Sequence, residues 1–278
     1  MKVVREVEEV RSGQVRSITR ALSLLRALAA SIEGLTLSEA AEISKLAPST
    51  AHRILTTLES ERFVRFETSV GLWQVGVAAF TVGAAFTRNR EVVTLARPFL
   101  RRLMEVTGET ANIYVESSGE AVCMAQVESR HTMRAITQVG GRVKMHWSAA
   151  GKALLSCMTD AHVMQILSEH GMARATARTM LQPEGLLREI ATVRQTRFAH
   201  DVEEFTEGLR CIATPIFNES GRGVAAISIS GPTARITVQR IELLERTLIE
   251  VADEVMRDFG GQPPSEQKRA RRTHSALL

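Results

Sequence analysis

The sequence predicts an α+β protein in two parts, a small helical N-terminal domain and a larger mixed C-terminal one. Three observations carry this. Short helical periods separated by tight turns occupy residues 15–60, two strand-like runs around a polar turn follow directly, and beyond residue 96 short β-rich runs alternate with helical ones. At 278 residues the chain has the length of about two domains.

In the first part, Ile18, Leu22, Leu25, Leu28 and Ala29 recur at helical spacing and predict a buried first helix that stops at the turn from Ser31 to Gly34. Thr36 followed by Glu39 is a capping-box pattern, opening a second helix that buries Leu37, Ala40, Ala41 and Ile43. Leu46-Ala47-Pro48 makes a turn, and Pro48 suits the first turn of a third helix running to about Ser60. Ala51, Ile54, Leu55 and Leu58 form its apolar face, leaving Ser49, Thr50, His52, Arg53 and Thr56 to look outward.

Two helices joined by a tight turn, the second presenting hydroxyl, imidazole and guanidinium groups, are the arrangement of a DNA-reading helix-turn-helix. An ordinary packed helix pair with a polar face is the plain alternative. The run FVRFETSVGLWQV, two strands around the turn Glu67 to Gly71, adds a β-hairpin wing and favours the DNA reader. Arg53 suits bidentate pairing with guanine, Ser49, Thr50 and Thr56 suit phosphates or base edges, and His52 and Arg65 suit phosphates. The expected partner is double-stranded DNA.

Residues 78–95 are expected as a linker helix with Ala78, Ala79, Val82, Ala85 and Phe86 on one stripe, and a further helix from Arg97 to Val106 closes at Gly108. The second domain, 96–260, then opens with two strands around Ser117-Ser118-Gly119. Further β-rich runs lie near Arg134–Gln138, Arg210–Phe217 and Val224–Ile229, between helical runs at Gly151–Cys157, Asp160–His170 and Pro183–Gln195. A last helix places Ile241, Leu244, Leu248, Val251, Val255 and Phe259 on one side. Residues 1–14 are expected as a flexible leader, 15–77 as the winged domain, and 261–278 as a disordered tail with a basic cluster at Lys268, Arg269, Arg271 and Arg272.

Composition excludes several classes. A net charge of +4 permits a nucleic-acid partner without demanding one, because acidic residues nearly balance basic ones. Cys123, Cys157 and Cys211 are odd in number and far apart, which suggests neither a disulfide framework nor a zinc site and points to a reducing cytoplasm. No run approaches the length of a membrane span, and no cofactor motif is present. The pair Gly151-Lys152 is no P-loop, because His146 stands at the first-glycine position and Ala153 replaces the required hydroxyl.

Ser148 reads as the N-cap of a helix begun by small residues, so the backbone N–H groups of Ala149 and Ala150 are free to meet an anion. A close-packed helix start is the competing reading. His200, Asp201 and Cys211 would serve as base, orienter and nucleophile of an enzyme, but adjacent His200 and Asp201 need not share a face, no oxyanion loop is evident beyond Ser148 to Gly151, and an enzyme leaves the winged reader unexplained.

The motifs APSTAHRILTTLE, WQVG, SAAGKALL, HDVEEFTEGLRCIATPIF and GVAAISISGP occur collinearly, and with them the chain from about Val15 to Phe259 resembles the IclR-type bacterial transcription regulators. That resemblance implies a winged DNA-binding domain, a linker helix and a GAF-like effector domain, assembled as a homodimer or dimer of dimers on a near-palindromic operator. In the branch sensing glyoxylate or pyruvate, it implies an effector held at Ala149 and Ala150 by Asp201, Cys211, Ser228 and Ser230. Such a small 2-oxo acid would set its carboxylate on the helix start and its oxygens on the two serines, with Leu209, Val143 and Met145 as apolar walls. Asp201 facing an anionic ligand calls for a hydroxyl donor, as a hydrated aldehyde provides, and so favours glyoxylate. Ala149, where relatives commonly carry glycine, and the bulky Trp147 are departures expected to narrow the pocket or to change the effector. A regulator sensing an aromatic or sugar-derived acid, and a ligand-independent architectural DNA binder, are the remaining readings.

Overall fold

The computed structural model describes residues 15–88, 91–132 and 138–264, the side chains of 84–88 and 91 excepted. The leader, the expected strand at residues 134–137 and the basic cluster of the tail lie outside the described residues. The chain divides between residues 89 and 90 into two compact units.

The N-terminal unit holds α1 (Arg16–Ala29), α2 (Leu37–Ile43), α3 (Pro48–Ser60), a hairpin of β1 (Val64–Glu67) and β2 (Leu72–Val75), and α4 (Val77–Arg88). Its core is Leu24, Leu28, Ala40, Ala41, Ala51, Leu55, Val64 and Trp73. The buried face of α1 is therefore Leu24, Ala27 and Leu28, while Ile18 (57% exposed), Leu22 (47%) and Ala29 face solvent, contrary to the expected stripe. Two apolar stripes run along this one helix, and only the one opposite the small residues Ala40, Ala41 and Ala51 finds a close-packed partner. Ile43 is likewise exposed rather than buried.

The capping box forms as expected: Thr36 Oγ1 accepts from Glu39 N–H, and Glu39 Oε2 accepts from Thr36 N–H at 2.8 Å. The hairpin pairs Phe66 with Trp73, and Leu35 adds a bridge by exchanging two backbone hydrogen bonds with Trp73. Gly34 makes that bridge reachable: at φ +105° it has the left-handed conformation, and a Cβ there would sit 2.6 Å from the Trp73 carbonyl oxygen.

The C-terminal unit begins with α5 (Glu91–Thr107), six residues earlier than the helix expected from Arg97, so the segment 78–95 carries most of α4 and the first turn of α5. It continues with β3 (Thr110–Ser117), β4 (Glu120–Val127), β5 (Arg142–Lys144), α6 (Ala149–Leu155), α7 (Asp160–His170), α8 (Pro183–Thr196), β6 (Ala199–Val202), β7 (Leu209–Phe217), β8 (Gly223–Pro232) and α9 (Val238–Phe259). The strands form one antiparallel sheet in the order β5-β4-β3-β8-β7-β6. At the head of the β3–β4 hairpin, Ser118 and Gly119 both have positive φ, as a two-residue type I′ turn requires.

Helices cover both faces. Ile113, Val115, Ile212, Ile227 and Ile229 pack on one side against α5 and α9, whereas Tyr114, Ala121, Cys123, Ala213 and Ala226 pack on the other against α6 and its neighbours. Strand alternation explains the division, with one adjustment. Between Ile113 and Tyr114 the register with β4 shifts, so that Met124 is an extra residue between the partners Ala125 and Cys123. The small residues Ala121 and Cys123 thereby meet α6, and the larger Val122 and Met124 go to the opposite side.

The expected tail does not begin at 261. Gly261 N–H donates to the Met256 carbonyl and Gln262 N–H to the Asn218 carbonyl, tying both residues to the domain. No described helix is long and apolar enough to cross a membrane.

Candidate functional site

The row Asp201–Cys211–Ser230 crosses three adjacent strands, since Asp201 pairs with Cys211 and Cys211 with Ser230 in the antiparallel ladder. Ser228, two residues along β8, lies on the same face. Above them stands the start of α6, where Ser148 Oγ accepts from Gly151 N–H at 3.0 Å and its carbonyl accepts from Lys152 N–H at 2.9 Å. The first-turn N–H groups of Ala149 and Ala150 have no intrahelical acceptor. Gly151 is required by close approach: a Cβ would come within 2.5 Å of Met145 Cα and 2.7 Å of Ser148 Oγ.

These residues enclose a cavity of about 30 Å³, lined by Val143, Ala149, Ala150, Asp201, Leu209, Cys211, Ser228 and Ser230 together with Tyr114, Ser148 and Phe205. All seven residues expected at an effector site are among its walls, as is Val143. Met145 is not; it is 2% exposed and belongs to the core beneath α6. Tyr114 and Phe205 were not anticipated: Tyr114 lies in no motif and enters through long-range packing, and Phe205, though inside the run HDVEEFTEGLRCIATPIF, sits on a loop where no period shows which way its ring turns. Trp147 touches the site at one remove, its ring 6.0 Å from that of Phe205.

Asp201 is 1% exposed. Its Oδ1 accepts from the N–H groups of Glu204 at 2.8 Å and Phe205 at 3.3 Å, while no N–H or O–H donor among the described residues reaches the buried Oδ2. Burial pushes the carboxyl up to about 6, against the lowering pull of those N–H groups and of the Lys152 charge. Burial, with the Asp201 charge beside it, also raises Cys211 far above the ordinary thiol range, so that sulfur carries its proton. On the adjacent strand the fully buried Asn112 donates from Nδ2 to Ser230 Oγ at 3.3 Å and Ser228 Oγ at 3.5 Å.

Lys152 supports the arrangement from below. It is fully buried, and its ammonium donates to Glu204 at 2.6 Å, to Glu189 at 3.0 Å and to the His200 carbonyl at 3.0 Å. It ties α6 to α8 and to the loop that carries Glu204 and Phe205. His200 turns to the opposite face and pairs with Glu245 on α9 at 2.9 Å, so the base–orienter–nucleophile arrangement does not form.

In the N-terminal unit, Ser49, Arg53 and Thr56 lie along the exposed side of α3. His52 and Thr50 flank that line in opposite directions. His52 packs edge-on against Trp73 with ring centroids 6.5 Å apart, whereas half-buried Thr50 borders a groove shared with Ser17, Ile18 and Ala21 of α1. Arg65 is exposed on β1, 4.0 Å from Glu67.

Comparison with known proteins agrees with this two-part architecture. The family model described as "IclR helix-turn-helix domain" matches residues 17–68, and the one described as "Bacterial transcriptional regulator IclR C-terminal" matches residues 84–257. The chain is 40% identical over 252 residues to the transcriptional repressor IclR of Escherichia coli, spanning 90% of this chain and 92% of that one. It is also 40% identical over 252 residues to the acetate operon repressor of Salmonella typhimurium, with the same coverage. Among solved structures, the Thermotoga maritima IclR superposes with a TM-score of 0.75 at 26% identity, over 89% of this chain and all of that one. These relatives are regulators rather than enzymes, and the chain belongs to the IclR family of bacterial transcriptional regulators.

Proposed function

We propose that this chain is a cytoplasmic repressor whose operator binding is modulated by a small 2-oxo acid, with glyoxylate as the best fit. The observation that carries this reading is the buried Oδ2 of Asp201, which accepts from no N–H or O–H among the described residues, in the wall of a very small cavity. A bare carboxylate there repels a plain carboxylic acid and rewards a ligand that brings its own hydroxyl donor, as the hydrate of an aldehyde does. The ligand carboxylate meets the N–H groups of Ala149 and Ala150, while Ser228 and Ser230 donate to oxygen and Leu209 covers the carbon.

Size supports the same class. A cavity of about 30 Å³ favours the smallest acids over aromatic or sugar-derived ones. The name of the Salmonella relative, an acetate operon repressor, also points to two-carbon metabolism.

On the DNA side, Ser49, Arg53 and Thr56 enter the major groove, with Thr50, His52 and Arg65 on flanking phosphates. Two copies, as a homodimer or within a dimer of dimers, read a near-palindromic operator, and the effector shifts the affinity of the pair for that site. A thermal-shift panel of glyoxylate, pyruvate, 2-oxoglutarate and aromatic acids, followed by gel shift on the promoter of the chain's own gene, tests this. Stabilisation by glyoxylate with a change in DNA affinity is expected; stabilisation by an aromatic acid alone overturns it.

A further inference from the structure

We propose that the effector is held covalently and reversibly, as a hemithioacetal on Cys211 with Asp201 as the proton carrier. This rests on the reading of the ligand as a 2-oxo acid with an aldehyde carbon. Three placements carry it. Cys211 lines the cavity and is flanked in the ladder by Asp201 on one side and Ser230 on the other. The Asp201 oxygen that accepts no N–H or O–H is buried in the same wall. Leu209, Val143, Phe205 and Tyr114 surround the thiol with apolar surface and limit the water able to compete for the carbonyl carbon.

The thiol is protonated, so addition needs a base within reach. In the step, Cys211 Sγ forms a bond to the aldehyde carbon as the carbonyl π bond opens, and the S–H proton passes to Asp201 Oδ2. The protonated Asp201 then delivers it to the former carbonyl oxygen, which becomes a hydroxyl. A thiol has added across a carbonyl; nothing is oxidised or reduced, and a ligand arriving as its hydrate first releases one water. The product hydroxyl donates back to Asp201, which supplies the partner that Oδ2 lacks, while the carboxylate remains at Ala149 and Ala150 and the carboxylate oxygens at Ser228 and Ser230. Because ketones add thiols less readily than aldehydes, the same chemistry ranks glyoxylate above pyruvate.

The test is carbon NMR of the full-length protein with glyoxylate labelled at its aldehyde carbon. Glycolate, which has a hydroxyl but no electrophilic carbon, serves as the non-covalent control. A protein-bound resonance at the position of a thiol-bonded sp³ carbon is expected, absent in Cys211→Ser and Cys211→Ala. Cys211→Ser should lose about tenfold or more in glyoxylate affinity, and more than it loses in glycolate affinity. A bound resonance at the hydrate position, or equal glyoxylate affinity in Cys211→Ser, overturns the covalent step and leaves glyoxylate as ligand. Glyoxylate that neither gives a bound resonance nor raises the melting temperature overturns the ligand reading along with it.

Discussion

Asn112 on β3 donates to the hydroxyl oxygen of Ser230 on the neighbouring β8, and the same amide reaches Ser228. A hydroxyl that accepts from a fixed amide must send its own proton elsewhere, and the open direction here is the cavity. Asn112 thus makes both serines donors and selects a ligand rich in acceptor oxygen. Its Oδ1 is buried without a partner, so the side chain is kept at some expense to the fold.

Replacing Asn112 with Leu should therefore leave the melting temperature of the ligand-free protein nearly unchanged and lower effector affinity about tenfold, or about 1.4 kcal/mol. Calorimetric titration beside a thermal melt separates the two. An unchanged dissociation constant would remove Asn112 from the recognition scheme.

Asp201 gives a pH dependence with a definite sign. The folded carboxyl titrates near 6 against an ordinary 3.8, so the folded protein holds this proton more tightly than the unfolded chain. The stability linked to this group is fully present below pH 3.8 and is lost as pH rises through 6. Asp201→Asn should match the parent near pH 4 and exceed it by roughly 3 kcal/mol at pH 7 in denaturant melts. Effector binding runs the other way: with Asp201 accepting from the ligand hydroxyl, affinity in the parent falls as pH drops below about 6, and that step disappears in the variant. Affinity that climbs as the pH is lowered would mean that charge repulsion, not hydroxyl acceptance, governs the site.

Lys152 is a buried cation between two carboxylates, and its removal strands them. Lys152→Met should cost about 3–5 kcal/mol, and adding Glu204→Gln should recover part of the loss by removing one stranded charge. Urea melts of the single and double variants measure the recovery. Strict additivity of the two changes would show that the pair is not coupled.

Arg53 sits on the exposed face of α3 with no ion-pair partner among the described residues. Arg53→Ala should weaken specific operator binding by about 1–3 kcal/mol in anisotropy titrations while glyoxylate binding is retained. Equal loss of both would argue that the substitution damages the fold.

Motif spacing made the cavity legible in part. Ala149, Ala150, Asp201, Cys211, Ser228 and Ser230 each belong to a short local pattern, and the sheet merely brings those patterns side by side. Asn112, Tyr114, Phe205 and Lys152 act through partners distant in sequence, as with Lys152 and Glu204, so no local period announces them. Three-residue β5 is too short for alternation to register, and β6 was hidden because its Ala-His-Asp-Val puts one apolar and one polar residue on each face instead of alternating them. On α1, periodicity revealed an amphipathic helix but offered two stripes. Which one is inside depended on the alanines of other helices.

The extra residue Met124 gives β4 one position that its pairing does not use. With Met124 deleted, Ala125 and Cys123 become consecutive and still face opposite ways, as their partners Ile113 and Tyr114 do, so Ala121 and Cys123 stay beneath α6. Deleting Val122 instead carries Ala121 to the opposite side. The strand is slack in length at one residue and strict at its neighbours.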